Sequence, residues 1–327
     1  MKRYYKKRIR RFIEILSLLI ILFFIIIVCS KKFVELVKIE GEGINDSNST
    51  AAPTKEAEAA GNSSSVIHLD ADRLISRNAI LVRLSDQKVM LDKNSKDTIY
   101  PASLTKIMTA LVAIENLNDL NQPIHLPSEM FHDLYKDDAS MAGFLPNETV
   151  PAIDLLYGVI LPSGAECCIG LANYISGSED TFVDLMNEKA KELDMQGTHF
   201  TNSTGLNDAN HYTTAKDLAK LLEYALKNDT FREIFTSIKH STSTTSLHPD
   251  GITFYSTMFK KMTSKEFEGG SILGGKTGYT SDAGLCLASL ANVNHTEYIL
   301  VTADAKGDHN TEQYNISDAL YIYKNLN

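Results

Sequence analysis

A serine and a lysine three positions apart form the first candidate catalytic pair. Ser103 and Lys106 stand at the beginning of a strongly apolar segment, which predicts a buried helix. Positions i and i+3 lie on one face of a helix, so the Lys106 amine can reach the Ser103 hydroxyl. The positive end of the helix favours negative charge on that oxygen. If burial or a second cation lowers the pKa of Lys106, the pair has the parts of a nucleophile and its base.

Two later segments offer groups that complete such a site. Ser163 and Gly164 occupy the short connection between two predicted helices. Farther along, Gly274-Gly-Lys-Thr-Gly278 places Lys276 and Thr277 on a predicted strand, where the flanking glycines let a substrate approach the backbone. Each of the three segments alone also fits a plain structural role: a helix start, an interhelical turn or a glycine-weakened edge strand.

Taken together and in this order, the three segments resemble the motif set of penicillin-binding proteins and class A β-lactamases. The resemblance extends over most of residues 79–304. It is carried by six segments: Tyr100–Ala110, Asp154–Gly164, Met186–Ala190, Thr198–Phe200, His211–Ala219 and Gly274–Thr280. On these segments the chain resembles the serine-type D-alanyl-D-alanine carboxypeptidases of peptidase family S11, the low-molecular-mass penicillin-binding proteins.

The resemblance implies hydrolysis through an acyl-enzyme, with no cofactor and no metal ion. Ser103 would attack the carbonyl between the two terminal D-alanines of a peptidoglycan stem pentapeptide. Lys106 would take the serine's proton, and Ser163 would help to pass it to the leaving D-alanine. Water would then release the acyl group. β-Lactams, which imitate the D-Ala-D-Ala end, would acylate Ser103 and act as covalent inhibitors.

The resemblance also assigns substrate-binding residues on the late strand. Lys276 would keep the catalytic lysine neutral by like-charge repulsion and would draw in the substrate's terminal carboxylate. Thr277 would hydrogen-bond that carboxylate, and Gly278 continues the substrate-binding strand. The backbone N–H groups of Ser103 and Tyr279 would form the oxyanion hole.

One site residue departs from the family pattern. Ala165 follows Ser163-Gly164 where relatives carry asparagine, and the loss of that amide would cost roughly 1–3 kcal/mol in binding or rate. Glu166 or a water could partly replace the amide, or the substrate preference could differ.

Neighbouring cysteines and histidines are expected to have structural roles. Cys167, Cys168 and Cys286 fit small buried residues, with a disulfide from Cys286 to one of the pair as the alternative. His199 and His211 are expected to serve packing and turns.

Two other functions compete with this interpretation. A class A-like β-lactamase needs a carboxylate that activates the deacylating water, usually in a Glu-x-x-x-Asn loop. Residues 197–211 contain Asp208 and no glutamate, which argues against that function. A non-catalytic sensor of cell wall or β-lactams is supported only by Ala165.

The elements that must hold these residues indicate an α/β (α+β) fold of the β-lactamase/transpeptidase-like type: an antiparallel sheet with packed helices and a helical subdomain. Predicted strands cover 79–84, 88–91, 271–278, 284–290 and 297–303, the first two forming a hairpin. Predicted helices cover 103–115, 153–160, 167–175, 180–193, 214–226 (N-capped by Thr213) and 311–326.

The N-terminus carries a membrane signal. The first 32 residues hold nine basic residues and one acidic residue, a net charge of +8, whereas the remaining 295 hold 23 basic and 40 acidic residues, a net charge of −17. Seven of the cations lie in residues 1–11, before an apolar stretch over 12–29 that is about 27 Å long as a helix, close to the thickness of a bilayer's hydrocarbon core.

This pattern predicts a cytoplasmic segment 1–11 and a single transmembrane signal-anchor over 12–29, with the rest outside the bacterial cell membrane. No small-x-small cleavage site follows the apolar stretch, so an uncleaved anchor is favoured, and a lipid-modified Cys29 is the alternative. Residues 30–65 are small and polar and predict a flexible linker, which leaves 66–327 as the catalytic domain. Its acidic balance excludes a nucleic-acid partner.

Overall fold

A six-stranded antiparallel sheet lies at the centre of the residues that this computed structural model describes, 69–326. The strands of the described residues are β1 (Asn78–Arg83), β2 (Lys88–Lys93), β3 (Thr98–Ile99), β4 (Pro123–Leu126), β5 (Glu148–Pro151), β6 (Thr213–Thr214), β7 (Lys239–Ser241), β8 (Thr253–Tyr255), β9 (Glu266–Phe267), β10 (Gly270–Thr280), β11 (Gly284–Val293) and β12 (Thr296–Ala305). The large sheet has the order β2-β1-β12-β11-β10-β9. Because β9 pairs with β10 only at Gly270 and Ser271, the remainder of β10 has an open edge within residues 69–326.

Helices pack on both faces of this sheet. They are α1 (Thr105–Asn116), α2 (Phe131–Lys136), α3 (Ala152–Ile160), α4 (Ala165–Ser176), α5 (Glu179–Glu192), α6 (Ala215–Ala225), α7 (Asp229–Thr236) and α8 (Tyr314–Lys324). Four 3-10 turns accompany them at Ala71–Arg73, Ala102–Leu104, Ser128–Met130 and Phe259–Lys261. α8 covers one face against β11 and β12, and α6 lies on the other against β1 and β12.

Alternation along the central strands explains how one sheet serves two cores. In β12, Ile299 and Val301 join the core beneath α1 and α6, whereas Tyr298 and Leu300 join the core beneath α8. Successive side chains of a strand point to opposite faces, so a strand covered on both faces is apolar almost throughout. β11 is built the same way, which is why its sequence reads as a continuous apolar run.

Three two-stranded pairings tie the helical layer to the sheet. β3 pairs with β6, β4 with β5 and β7 with β8, all antiparallel. The first brings the segment before α6 beside the segment that leads into α1. The hairpin of β7 and β8 leads into the turn at 257–261, which lies at the site described below.

The sequence predictions for the sheet, the hairpin and most helices are confirmed. The helices α2 and α7, the strand β9 and the three small pairings were not predicted. The N-cap of α6 is Thr214 and not Thr213, because the Thr214 hydroxyl accepts the hydrogen bond from the N–H of Asp217. The closing helix begins at Tyr314, later than predicted, since 308–313 forms a turn held by the Asp308 and Thr311 side chains.

The predicted segments 1–11, 12–29 and 30–65 lie outside the described residues. Among residues 69–326, no helix combines the length and apolar character that crossing a bilayer requires.

Candidate active site

The predicted nucleophile lies in a tight turn directly before α1. Ser103 is the middle residue of the 3-10 turn Ala102–Leu104, and α1 follows from Thr105. Lys106 Nζ lies 3.2 Å from Ser103 Oγ, so the contact expected from the spacing is present. Ser103 is partly exposed and Lys106 is buried, as a reactive hydroxyl above its base requires.

Close backbone contacts hold this turn in an uncommon conformation. Ala102 has φ +46°, in the left-handed region that L side chains rarely adopt. Gly205 has φ +79°, and a Cβ built there would lie 1.9 Å from the carbonyl oxygen of Ala102. Backbone strain of this kind persists where the surrounding structure enforces it, as it commonly does at functional sites. The role of Gly205 was not predicted from sequence, because it depends on a contact with a residue more than 100 positions away.

Lys106 is buried among oxygen atoms. Its Nζ donates to the carbonyl of Thr204 at 2.6 Å as well as to Ser103 Oγ. Burial is the main cause that lowers the pKa of Lys106, and the nearby Cys168 and Glu166 oppose this effect. A lowered pKa makes the neutral amine, the form that can accept a proton, more populated than in an exposed lysine.

Lys276 and Ser163 form a second lysine–serine pair. Lys276 Nζ lies 2.9 Å from Ser163 Oγ and 2.8 Å from the carbonyl oxygen of Thr277. Ser163 has φ +71°, which marks a second strained residue in the site. Burial, followed by the charge of Lys106, lowers the pKa of Lys276 well below its usual value. Burial is thus the main cause that lowers the pKa of both lysines, and Lys106 adds to the effect on Lys276. The expected effect in the other direction, of Lys276 on the pKa of Lys106, stays a prediction.

The predicted residues surround one cleft of about 160 Å³. Ser103, Ser163, Thr277, Gly278 and Tyr279 line it, and the two lysines lie beneath. The cleft also contains residues that sequence reasoning missed: Ser140, Thr257, Lys260, Lys261, His309, Gln313 and Asn315. They belong to turns and to the beginning of α8, where no motif marked them.

The open edge of β10 forms one wall of the cleft. Thr277 Oγ1 lies 2.7 Å from Thr257 Oγ1. A Cβ built on Gly278 would lie 3.1 Å from the amide nitrogen of Ser103, so the nucleophile turn packs directly on the strand. The backbone of Ser103 thus lies beside Gly278, which directly precedes Tyr279. Ser103 and Tyr279 are the two residues whose N–H groups are expected to form the oxyanion hole.

The first two glycines of the strand motif have a different role from the one expected. A Cβ on Gly274 would lie 2.3 Å from the carbonyl oxygen of Phe235, and a Cβ on Gly275 would lie 2.4 Å from Met258 Sδ. Protein groups therefore occupy the space that was expected for substrate. Only Gly278 lies against the nucleophile.

Glu166 holds the segment that contributes Ser140 to the cleft. Its Oε1 accepts hydrogen bonds from the amides of Ala142 and Gly143 at 2.7 and 2.8 Å, and from Phe144 at 3.3 Å. Burial raises the pKa of Glu166 despite these bonds. Oε1 is thus committed to residues 142–144, whereas Oε2 is buried and forms no hydrogen bond within residues 69–326. A partial replacement by Glu166 of the amide that Ala165 lacks therefore stays a prediction.

The remaining candidates have structural roles, as predicted. Cys167, Cys168 and Cys286 are buried free thiols, so the alternative of a disulfide among them is wrong. His211 is buried, bonds to Thr105 Oγ1 at 2.8 Å and accepts from the amide of Thr201 at 3.0 Å.

The other groups of the same loop serve turns. His199 is exposed and pairs with Tyr212 in an isolated bridge. Asp208 is exposed and accepts a hydrogen bond from the amide of Asn210.

Comparison with known proteins gives concordant matches. The family model described as D-alanyl-D-alanine carboxypeptidase matches residues 65–307. The D-alanyl-D-alanine carboxypeptidase DacF of Bacillus subtilis (strain 168) is 32% identical over 270 residues, 78% of this chain and 63% of the relative. The corresponding DacC of Escherichia coli (strain K12) is 34% identical over 167 residues, 49% of this chain and 42% of the relative. The chain thus spans less than two thirds of the length of these relatives.

Solved structures match over a similar part of the chain. The Streptomyces K15 DD-transpeptidase has a TM-score of 0.68 at 23% identity, covering 77% of this chain and 97% of its own. The D-alanyl-D-alanine carboxypeptidase from Mycobacterium tuberculosis H37Rv has a TM-score of 0.65 at 22% identity, with 76% and 90% covered. At these identities the matches establish a shared fold.

Proposed function

This chain belongs to the D-alanyl-D-alanine carboxypeptidase family, and from that premise we propose that it is a serine hydrolase that removes the terminal D-alanine from peptidoglycan stem pentapeptides. The observation that carries the proposal is the contact of 3.2 Å between Lys106 Nζ and Ser103 Oγ at the floor of an open cleft. Such a pair supplies a nucleophile and a base at neutral pH without a metal ion or cofactor.

The first half of the reaction forms the acyl-enzyme. Neutral Lys106 takes the hydroxyl proton of Ser103 while Ser103 Oγ attacks the carbonyl carbon between the two D-alanines. The C–N bond then breaks, and the leaving amine receives a proton from Lys106 by way of Ser163. The hydrogen bond between Lys276 Nζ and Ser163 Oγ fixes the serine hydroxyl for this transfer.

The second half returns the enzyme. A water loses its proton to Lys106, attacks the acyl carbon and displaces Ser103 Oγ, which regains a proton. In both halves the backbone N–H groups of Ser103 and Tyr279 stabilise the negative oxygen. The peptide lies along the strand edge formed by Thr277, Gly278 and Tyr279. The open edge of β10 supports this placement.

The same cleft would accept β-lactams as covalent inhibitors. Acylation of Ser103 uses the first half of the reaction. A class A-like β-lactamase would carry its deacylating glutamate in the loop that contains Asp208. Asp208 is exposed and accepts a hydrogen bond from the amide of Asn210, which argues against that alternative. A non-catalytic sensor is disfavoured because both lysine–serine pairs are intact.

The proposal places the catalytic domain, 66–327, outside the bacterial cell membrane. The basic cluster and apolar stretch of residues 1–29 support a single-pass anchor, and the polar residues 30–65 support a flexible linker between the anchor and the catalytic domain. The proposed partners are thus the stem peptide, β-lactams and the cytoplasmic membrane.

The test is D-alanine release from a stem pentapeptide that ends in D-Ala-D-Ala. Purified protein should release D-alanine, and Ser103→Ala should abolish both release and labelling by a fluorescent penicillin. Labelling without release would favour the sensor, and rapid turnover of penicillin would favour the β-lactamase. A folded protein that neither releases D-alanine nor is labelled by penicillin would contradict the proposal.

A further inference from the structure

The substrate of the proposed function ends in a free carboxylate, and this inference rests on that function. As the carboxylate enters the cleft it loses water, and a positive group must compensate for the loss. The family resemblance assigns this task to Lys276. The structure shows a different set of charges at the cleft.

Lys276 is committed below the surface of the cleft. It is fully buried, and its Nζ already donates to Ser163 Oγ and to the carbonyl of Thr277. Its lowered pKa also favours the uncharged amine. Lys276 is therefore suited to hold Ser163 and poorly suited to meet a carboxylate.

Two exposed lysines line the cleft on the turn that follows β8. Lys260 and Lys261 both belong to the 3-10 turn Phe259–Lys261. Within residues 69–326 neither forms an ion pair with a carboxylate. Their positive charge is notable because the part of the chain after residue 32 carries a net charge of −17.

The two ammonium groups are held differently. Lys260 Nζ lies 5.2 Å from the ring centroid of Tyr255, an exposed residue of the hairpin. Lys261 Nζ lies 3.2 Å from the carbonyl oxygen of His309. The His309 ring packs edge-on against Tyr279, with centroids 4.6 Å apart, so Lys261 is held beside the strand wall of the cleft.

We infer that Lys261 binds the terminal carboxylate of the substrate and makes the enzyme specific for peptides with a free C-terminus. The carbonyl of His309 occupies one of its three N–H donors, and the others are available to the carboxylate. Thr277 adds a neutral hydroxyl on the strand. Lys276 then acts through Ser163.

The experiment compares Lys261→Gln and Lys261→Arg with wild type on a stem pentapeptide ending in D-Ala-D-Ala. Lys261→Gln should lower kcat/KM about ten- to 100-fold, mainly by raising KM, because a hydrogen-bonded charge is lost. Lys261→Arg should restore most of that loss. Added salt should lower kcat/KM of wild type more steeply than that of Lys261→Gln.

Lys88→Gln is the matched control, since it removes the same charge from β2, at the opposite side of the sheet from β10. It should leave KM and the salt dependence unchanged. The same peptide with a C-terminal amide tests specificity: any preference of wild type for the free acid should disappear in Lys261→Gln.

The outcomes separate the two proposals. A wild type that releases no D-alanine removes both. An active wild type with an unchanged KM in Lys261→Gln, or with the whole effect in Lys260→Gln, overturns the inference and leaves the proposed function in place.

Discussion

The protein buries charged groups in two regions and surrounds them in opposite ways. At the cleft, Lys106 and Lys276 bond to hydroxyl and carbonyl oxygens. Where the hairpin of β7 and β8 meets the helical layer, two buried carboxylates bond to histidines. Asp154 accepts from His240 Nε2 at 2.6 Å, and Glu148 bonds to His248 Nδ1 at 2.8 Å.

The partners of the two carboxylates extend beyond the histidines. Asp154 also accepts from the amide of Ser243 at 2.8 Å, and Glu148 accepts from the amide of Leu145 and the hydroxyl of Thr245. Buried carboxylates with this many donors are well satisfied and serve to fasten the hairpin. The buried lysines bond only to neutral oxygens, and burial lowers their pKa values. The first arrangement supports stability, and the second supports proton transfer.

The largest expected effect comes from removing the base at the cleft. Lys106→Met keeps a side chain of similar length and removes the base, so D-alanine release should fall about 10²- to 10⁴-fold. Because burying a lysine amine without an ion-pair partner is costly, the free energy of unfolding should stay the same or rise. Urea denaturation and a D-alanine release assay measure the two quantities.

Lys136→Met is the control for this change, since Lys136 is exposed at the end of α2. It should alter neither quantity appreciably. A clear loss of stability in Lys106→Met alone would show that the ammonium serves folding, and the contrast between the two regions would fail.

The second prediction concerns a buried histidine that has no carboxylate partner within residues 69–326. Burial lowers the pKa of His211 from 6.5 to about 4. Between pH 6.5 and pH 4 the unfolded chain binds more protons at His211 than the folded chain does. The contribution of neutral His211 to stability is therefore complete above pH 6.5 and is lost as the pH falls towards 4. The loss attributable to this histidine is roughly 3 kcal/mol.

Urea denaturation from pH 7.5 to pH 4 checks this value by comparison with His211→Gln. The variant should be less stable at neutral pH, because the bonds to Thr105 and Thr201 are altered, and its stability should fall less with acid. His125→Gln, at an exposed histidine of β4, should follow wild type. Parallel pH curves for wild type and His211→Gln would contradict the prediction.

The features of the fold and the site that could be predicted from sequence are those encoded by residues close together in the chain. The spacing of Ser103 and Lys106 is a property of one helical turn, and the apolar runs of β11 and β12 reflect a sheet covered on both faces. Short local patterns therefore predicted the sheet, most helices and the Ser103–Lys106 pair. The contact between Lys276 and Ser163 joins two distant segments and was not predicted.

What was missed depended on contacts between distant segments. Thr204 and Gly205 reach the nucleophile turn through a loop about 100 positions away in the sequence. Lys261 enters the cleft because the hairpin of β7 and β8 carries its turn there, and the segment around it contains no motif. The roles of Gly274 and Gly275 were misread for the same reason: α7 and Met258, which occupy the space beside them, are invisible in the local sequence.

The smallest expected effect tests the paired region. Asp154→Asn replaces one acceptor oxygen by an amide that faces a donor, so either His240 or the amide of Ser243 loses its partner. The free energy of unfolding should fall by about 1–3 kcal/mol. D-alanine release per folded molecule should change little, because Asp154 does not line the cleft.

Asp250→Asn, in the connection between β7 and β8 that also contains Ser243, is the matched control, since Asp250 is exposed and its side chain makes no hydrogen bond within residues 69–326. It should leave stability unchanged, whereas Asp154→Asn lowers it. The opposite pattern, full stability with a large loss of D-alanine release, would mean that the hairpin's fastening acts on the cleft. The turn at 257–261 would then transmit the change, and the two regions would form one functional unit.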